Sequence, residues 1–242
     1  MAGETLGFQV HHVFPTDFFK NNSKLVDDLN RVMGDSLITK DDYSNRINLF
    51  NNQEMADVMK SFYASQNGMM KVADSFGSVM HKGSENNHLD YNKFIKESIE
   101  KILNMNSDDS TKKYLILDLH KKVSHALKVG DMDLKGDIDY YDEKLSNKLV
   151  DVDDLAVLDK NGFYKFNSNS EAVKVLQTYE KSYNRTSMVS NETVVKEDFN
   201  KAIAKIDLSS KVYDVPYSQI TINSIKEALA KNDTNIMRRA LG

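Results

Sequence analysis

The chain has 242 residues, 40% hydrophobic and 28% charged, with mean hydropathy −0.53, a profile that fits a globular protein with room for one or two cores. It has no cysteine, which excludes disulfides, thiolate catalysis and cysteine-held zinc, so any metal must be held by His, Asp, Glu or Asn. A net charge of −4 and a pI of about 5.9 argue against broad attraction to polyanions and leave only a local basic face for nucleic acid.

No stretch approaches the roughly 18 uninterrupted apolar residues that cross a bilayer, so a membrane is not an expected partner. The N-terminus has no signal peptide pattern, and Met1-Ala2-Gly3-Glu4 leads straight into a strand-like segment, which fits a piece of a longer chain. Residues 5–14 are rich in β-formers and predict a strand stopped by Pro15, whose ring fixes φ and donates no hydrogen bond. The adjacent His11 and His12 fall at the end of that strand. Leu25, Leu29 and Met33 at helical spacing predict a helix over 22–34, capped by Ser23 and closed by Gly34. A short strand follows at Ile47-Asn48-Leu49-Phe50.

Two helices are predicted over 53–66 and 69–80, divided by Asn67-Gly68, the second running into His81-Lys82-Gly83-Ser84. A polar loop with Glu85, Asn86, Asn87 and His88 leads to a helix over 90–104, whose buried stripe is Tyr91, Phe94, Ile95, Ile99 and Ile102. The polar stretch 104–110 predicts a domain boundary, dividing the chain into 1–105 and a mostly helical 106–242. The second region opens with a helix over 110–129 carrying Leu115, Leu119, Val123 and Ala126 on its apolar face. Residues 156–159 and 163–166 flank Lys160-Asn161-Gly162 and predict a hairpin. Helices over 170–183, 193–206 and 218–231 complete a mainly α fold with a small β component.

Adjacent histidines on a strand point to opposite faces unless the strand is ending, where both can turn toward one pocket. Followed by an apolar residue and proline, by Asn48-Leu49 and by further histidines before a helix, the pair fits a hydrolytic metal site. In such a site one His ligates a divalent cation, the other takes a proton from the attacking water, and later residues complete the coordination.

Gln9-Val10-His11-His12-Val13-Phe14-Pro15, Asn48-Leu49, and His81-Lys82-Gly83-Ser84 followed by His88-Leu89-Asp90-Tyr91-Asn92 resemble the HNH/endonuclease VII superfamily. The nearest branch is the AHH-type nuclease found at the C-terminal tips of bacterial polymorphic toxins. The resemblance covers residues 6–104 and leaves the remainder unrecognised. It implies a ββα-metal nuclease core embedded in helices, which hydrolyses phosphodiester bonds in nucleic acid, DNA ahead of RNA, with one divalent ion of zinc, magnesium, manganese or nickel. Carried over, His11 is a metal ligand, His12 the general base, and Asn48 the residue that braces the loop holding the site; His81 and His88 complete the metal shell. The resemblance also implies a secreted or translocated bacterial effector acting in the target-cell cytoplasm, with a cognate immunity protein and a larger secretion carrier as partners.

The chain departs from the branch in two places. Val10 stands where the branch has the alanine of its name, and His81 and His88 are seven positions apart where the branch has about four. Glu85, Asn86 and Asn87 therefore read as an insertion, and Asn86 or Asn87 is an alternative ligand to one of the two histidines.

Other features have blander readings beside them. A lone histidine such as His81 is as often a hydrogen-bonded structural residue as a ligand. His120 and His125, five apart among Lys112, Lys113, Lys121, Lys122 and Lys128, are poorly placed for one metal and read as solvated. Those lysines form either a wet helix face or a basic stripe for phosphates. Residues 131–142 place acidic side chains at loop positions one, three, seven, nine and twelve with Gly136 at six, which resembles an EF-hand calcium loop, although Lys135 and Asp142 depart from it. An ordinary acidic linker is the alternative. For the whole chain, the competing reading is a non-enzymatic helical interaction or immunity-type protein, in which His11 and His12 only pack and 11 methionines line a partner face.

Overall fold

A computed structural model describes residues 8–186, apart from 37, 41, 52, 54–55, 58–59, 61–76, 82–87 and 146. The expected helices over 193–206 and 218–231, the Asn67-Gly68 break, and Glu85, Asn86 and Asn87 lie outside the described residues. In chain order the elements are β1 (Phe8–His12), α1 (Thr16–Asn21), α2 (Ser23–Met33), β2 (Arg46–Phe50), α3 (Leu89–Leu103), α4 (Asp109–Val129), α5 (Ile138–Leu145), α6 (Val152–Leu155), β3 (Ala156–Leu158), β4 (Tyr164–Phe166) and α7 (Glu171–Thr186). The fold is mainly helical with two small antiparallel sheets, each of two strands, as expected.

β1 ends where Pro15 begins, and Pro15 then serves as the flanking residue of α1, at φ −61° and ψ 145°. The ring that stops a strand is also pre-set for the first turn of a helix, so α1 forms where the sequence suggested only a break. Its Phe18 is buried. In α2 the flanking residue is Asn22, which makes no side-chain capping bond, and the expected cap Ser23 is instead the first helical residue. α4 is capped as a helix in water should be: the Asp108 carboxylate accepts from the Thr111 backbone N–H at 2.8 Å and from its hydroxyl at 2.9 Å.

β1 and β2 pair with Val10 opposite Asn48, His11 opposite Ile47 and His12 opposite Arg46. Along the other edge of β2, the Gly77 N–H reaches the Asn48 carbonyl at 2.9 Å and the His81 N–H reaches the Phe50 carbonyl at 2.8 Å. Residues 77–81 are therefore an extended rail beside β2 and not the end of the helix expected over 69–80. Gly77 permits this approach, because a Cβ there would stand 2.6 Å from Leu49 Cδ2 and 2.8 Å from the Leu127 carbonyl oxygen.

One buried cluster runs through the described chain, joining Val13, Leu29, Met33, Leu49, Tyr91 and Ile99 to Leu117, Val123, Leu145 and Leu176. The boundary expected near residue 105 falls inside this core. The hairpin expected around Asn161-Gly162 is present, and the Asp159 carboxylate accepts the Asn161 and Phe163 N–H groups that turn it. No helix among the described residues is long and apolar enough to cross a membrane.

Candidate metal centre

The next-to-last rung of β1 delivers His11 into the core, where it is 6% exposed. Its ring centroid lies 5.5 Å from that of His81 and 5.6 Å from that of His88, and those two are 4.9 Å apart. His81 is placed by the rail along β2. His88 sits just before α3 in the left-handed region, at φ 39° and ψ 44°. That backbone conformation is uncommon outside glycine, asparagine, aspartate and histidine, and it turns the side chain back over the start of the helix toward His11.

Each of the three histidines offers a nitrogen within 4.8 Å of the others, and together they are a group able to hold a metal ion. The donor set fits. His11 Nε2, His81 Nδ1 and His88 Nε2 are buried, and none has a hydrogen-bond partner among the described residues. Orphaned buried nitrogens are costly singly, and three that converge are what a cation would satisfy. The protonation states agree. Burial, and then the neighbouring His81, His88 and His12, hold His11 well below the usual imidazole value. His81 is pushed down to about 4, first by burial and then by His88 and His12. His88 is lowered by burial against opposing pulls from the Leu134 carbonyl and Asp133. Neutral imidazoles keep the lone pair that a ligand must offer.

The structure brings His11, His81 and His88 together, so the stretched spacing of the last two does not separate them. His12 is half-buried at the strand end and acts electrostatically on both His11 and His81.

Asn48 is 1% exposed, and neither side-chain polar atom finds a partner among the described residues. The bracing expected of it is done by Asn45. The Asn45 carboxamide accepts from the Phe14 N–H at 2.7 Å and donates to the Phe14 carbonyl at 3.1 Å, while its backbone carbonyl accepts from the Val13 N–H at 2.8 Å. Tyr91 completes the support: its hydroxyl donates to the Val13 carbonyl at 2.6 Å and its ring lies 5.2 Å from that of His11. The sequence carried one trace of these roles, the Tyr91-Asn92 pair after His88; an asparagine ahead of a strand, such as Asn45, reads as turn filler.

The structure bears on two other expectations. In the loop 131–142, Asp131 pairs with Lys148 at 3.1 Å, Asp133 accepts the Lys135 N–H and Asp137 the Tyr140 N–H. His120 is not solvated but fully buried: its Nδ1 lies 2.8 Å from the Tyr179 hydroxyl, its ring packs edge-on against Phe14, and burial pushes it down to about 3. α4 buries Ile116, Leu117, Asp118, Leu119 and His120 in succession, so it lies in the core on more than the one face its spacing suggested. His125, one turn and a half further on, is exposed as expected. Set against family models, curated proteins and solved structures, the chain matches none.

Proposed function

We propose that the chain is a metal-dependent endonuclease hydrolysing phosphodiester bonds in nucleic acid, DNA ahead of RNA. One observation carries this reading: buried His11 and half-buried His81 and His88 converge with unpartnered nitrogens, beside His12 at the end of the same strand as His11. A divalent cation in that group supplies a Lewis acid that offsets the charge building on the phosphate and its leaving oxygen.

The other parts belong to the chain. His11, His81 and His88 bind through neutral imidazoles, and the core around His11 keeps competing water from its ligand nitrogen. His12 stands next to the group without joining it, and accepts the proton of the attacking water. Arg46 is the cross-strand partner of His12 on the same face of the ribbon, where a guanidinium suits a phosphate oxygen. Asn45 and Tyr91 fix the chain leaving β1, and with it the angle between the two histidines. The resemblance at residues 6–104 extends the reading to a translocated bacterial effector with a carrier and an immunity protein as partners. The net charge of −4 suits a protein that attracts its substrate only locally.

The test is incubation with plasmid and with RNA, with and without EDTA and with several divalent ions. Wild type should nick in a metal-dependent way. His12→Ala should keep its metal yet lose about 10²-fold or more in rate, the scale of general base catalysis. His11→Ala should lose the metal. No nicking of either substrate under any ion sinks the proposal, and bound metal without nicking would mark a structural ion in a non-enzymatic interaction protein.

A further inference from the structure

Between α3, α4 and α5 lies a cleft of about 530 Å³, and none of His11, His12, His81 and His88 lines it. Its walls are largely apolar: Phe94 and Ile102 come from α3, Leu119 from α4, Ile138 from α5 and Leu149 from the connection between α5 and α6. Asp118 of α4 opens onto the same space and is 4% exposed. The Val150 N–H donates to Asp118 Oδ2 at 2.8 Å, and Oδ1 accepts no hydrogen bond among the described residues.

An ionised carboxyl group has about four lone-pair sites, so one bond leaves most of its capacity unused after it has lost its water. The burial of Asp118 shows in its acidity, which is raised above the usual carboxylate value against the pull of the Val150 bond and of Lys122 and Lys121 on its own helix. A cation that brings its own N–H donors satisfies the open oxygen and offsets the lost hydration. The rest of the lining selects the same sign. Glu97, Asp142 and Asp151 stand exposed at the mouth, with Lys101 as the one base among the lining residues. The walls select the remainder of the guest. A hydrated metal ion gains nothing from Phe94, Leu119 and Ile138, whereas a hydrocarbon stem removes them from water, and the volume is that of a small-molecule site.

We propose that this cleft binds a small organic amine, whose ammonium group donates to Asp118 Oδ1 and whose hydrocarbon stem lies against Phe94, Leu119 and Ile138. The site is separate from the histidine group and does not depend on the metal-centre reading.

Hexylamine, hexanol and hexanoate share one stem and differ in the head, so together they separate charge from burial. Added to the full chain at neutral pH, hexylamine should raise the melting temperature saturably and move the Val150 amide signal in nitrogen-15 NMR, while hexanol and hexanoate do neither. Asp118→Asn keeps an oxygen for the Val150 N–H and removes the charge; it should weaken hexylamine binding by about 10- to 100-fold, the worth of a hydrogen bond to a charged group. Ile138→Trp fills the cleft from α5 with Asp118 intact and should abolish binding, which keeps the test open if Asp118→Asn does not fold. Hexanol binding as well as hexylamine would reduce the cleft to an apolar void and overturn the proposal. Hexylamine binding that survives both variants overturns it too. A Val150 shift produced by magnesium or calcium chloride and not by hexylamine would do the same, by assigning Asp118 to a metal ion.

Discussion

His120 and the three converging histidines are kept neutral by the same force, burial, with different outcomes. The nitrogens of His11, His81 and His88 meet at one point, whereas His120 places its Nδ1 on the Tyr179 hydroxyl and becomes part of the core. This has a consequence in acid. The folded value for His120 is about 3 and the unfolded one 6.5, so its stabilising contribution is complete above 6.5 and declines as pH falls toward 3, because only the unfolded chain gains the proton. The slope from this group alone is at most roughly 1.4 kcal/mol per pH unit. His120→Asn, which keeps an acceptor for Tyr179 without a titrating ring, should flatten the melting temperature between pH 6 and pH 4 relative to wild type; an unaltered profile would count against the account. At this scale the sequence was legible where chemistry resides in a side-chain type. His11, His12, His81 and His88 could be picked out because imidazole has few other uses in a cluster. Asn45 could not, because what an amide does depends on which backbone passes beside it.

Among the elements, the ribbon of β1 and β2 is short, and its end is where precision is required. Asn45 prolongs the pairing past His12 by gripping both polar groups of Phe14. Asn45→Ala removes these two buried bonds and should cost about 3–5 kcal/mol, as roughly 1 kcal/mol for each plus the penalty of an unpaired group, read from urea unfolding. Gly77→Ala should also destabilise, by about 1–3 kcal/mol, since the new methyl meets the Leu127 carbonyl and two core side chains. A neutral effect there would show that the rail does not lie against β2. The long helices α3 and α4 were legible to within a residue or two. α1 was hidden because proline signals a stop to the left and a start to the right. The rail at 77–81 was hidden because apolar residues at helical intervals can also be buried by an extended chain next to a strand.

Across the described residues, one buried cluster spans both sides of residue 105. Tyr91 and Phe94 of α3 pack on Tyr141 of α5, and Phe14 packs on His120. A fragment of residues 1–105 would expose the faces of α2 and α3 that α4 and α5 cover. It should show no cooperative melting and bind zinc far more weakly than the full chain; a fragment that melts sharply and binds as tightly would restore the boundary. The full chain should be stabilised by about 2.7 kcal/mol at a free zinc concentration of a hundred times Kd, and His88→Ala should remove that gain. The fold class was legible from composition and periodicity. The contacts that join α3 to α5 were not, since a polar connection between helices looks the same whether the helices then part or pack together.

The packing of α5 behind Tyr91 also sets an order of events during synthesis. His11 is made first and Tyr141 far later, so a chain still emerging from the ribosome carries its histidines before their support. The Tyr91 ring that packs on His11 gains its backing only when α5 folds back onto α3. The histidine group is thus finished late.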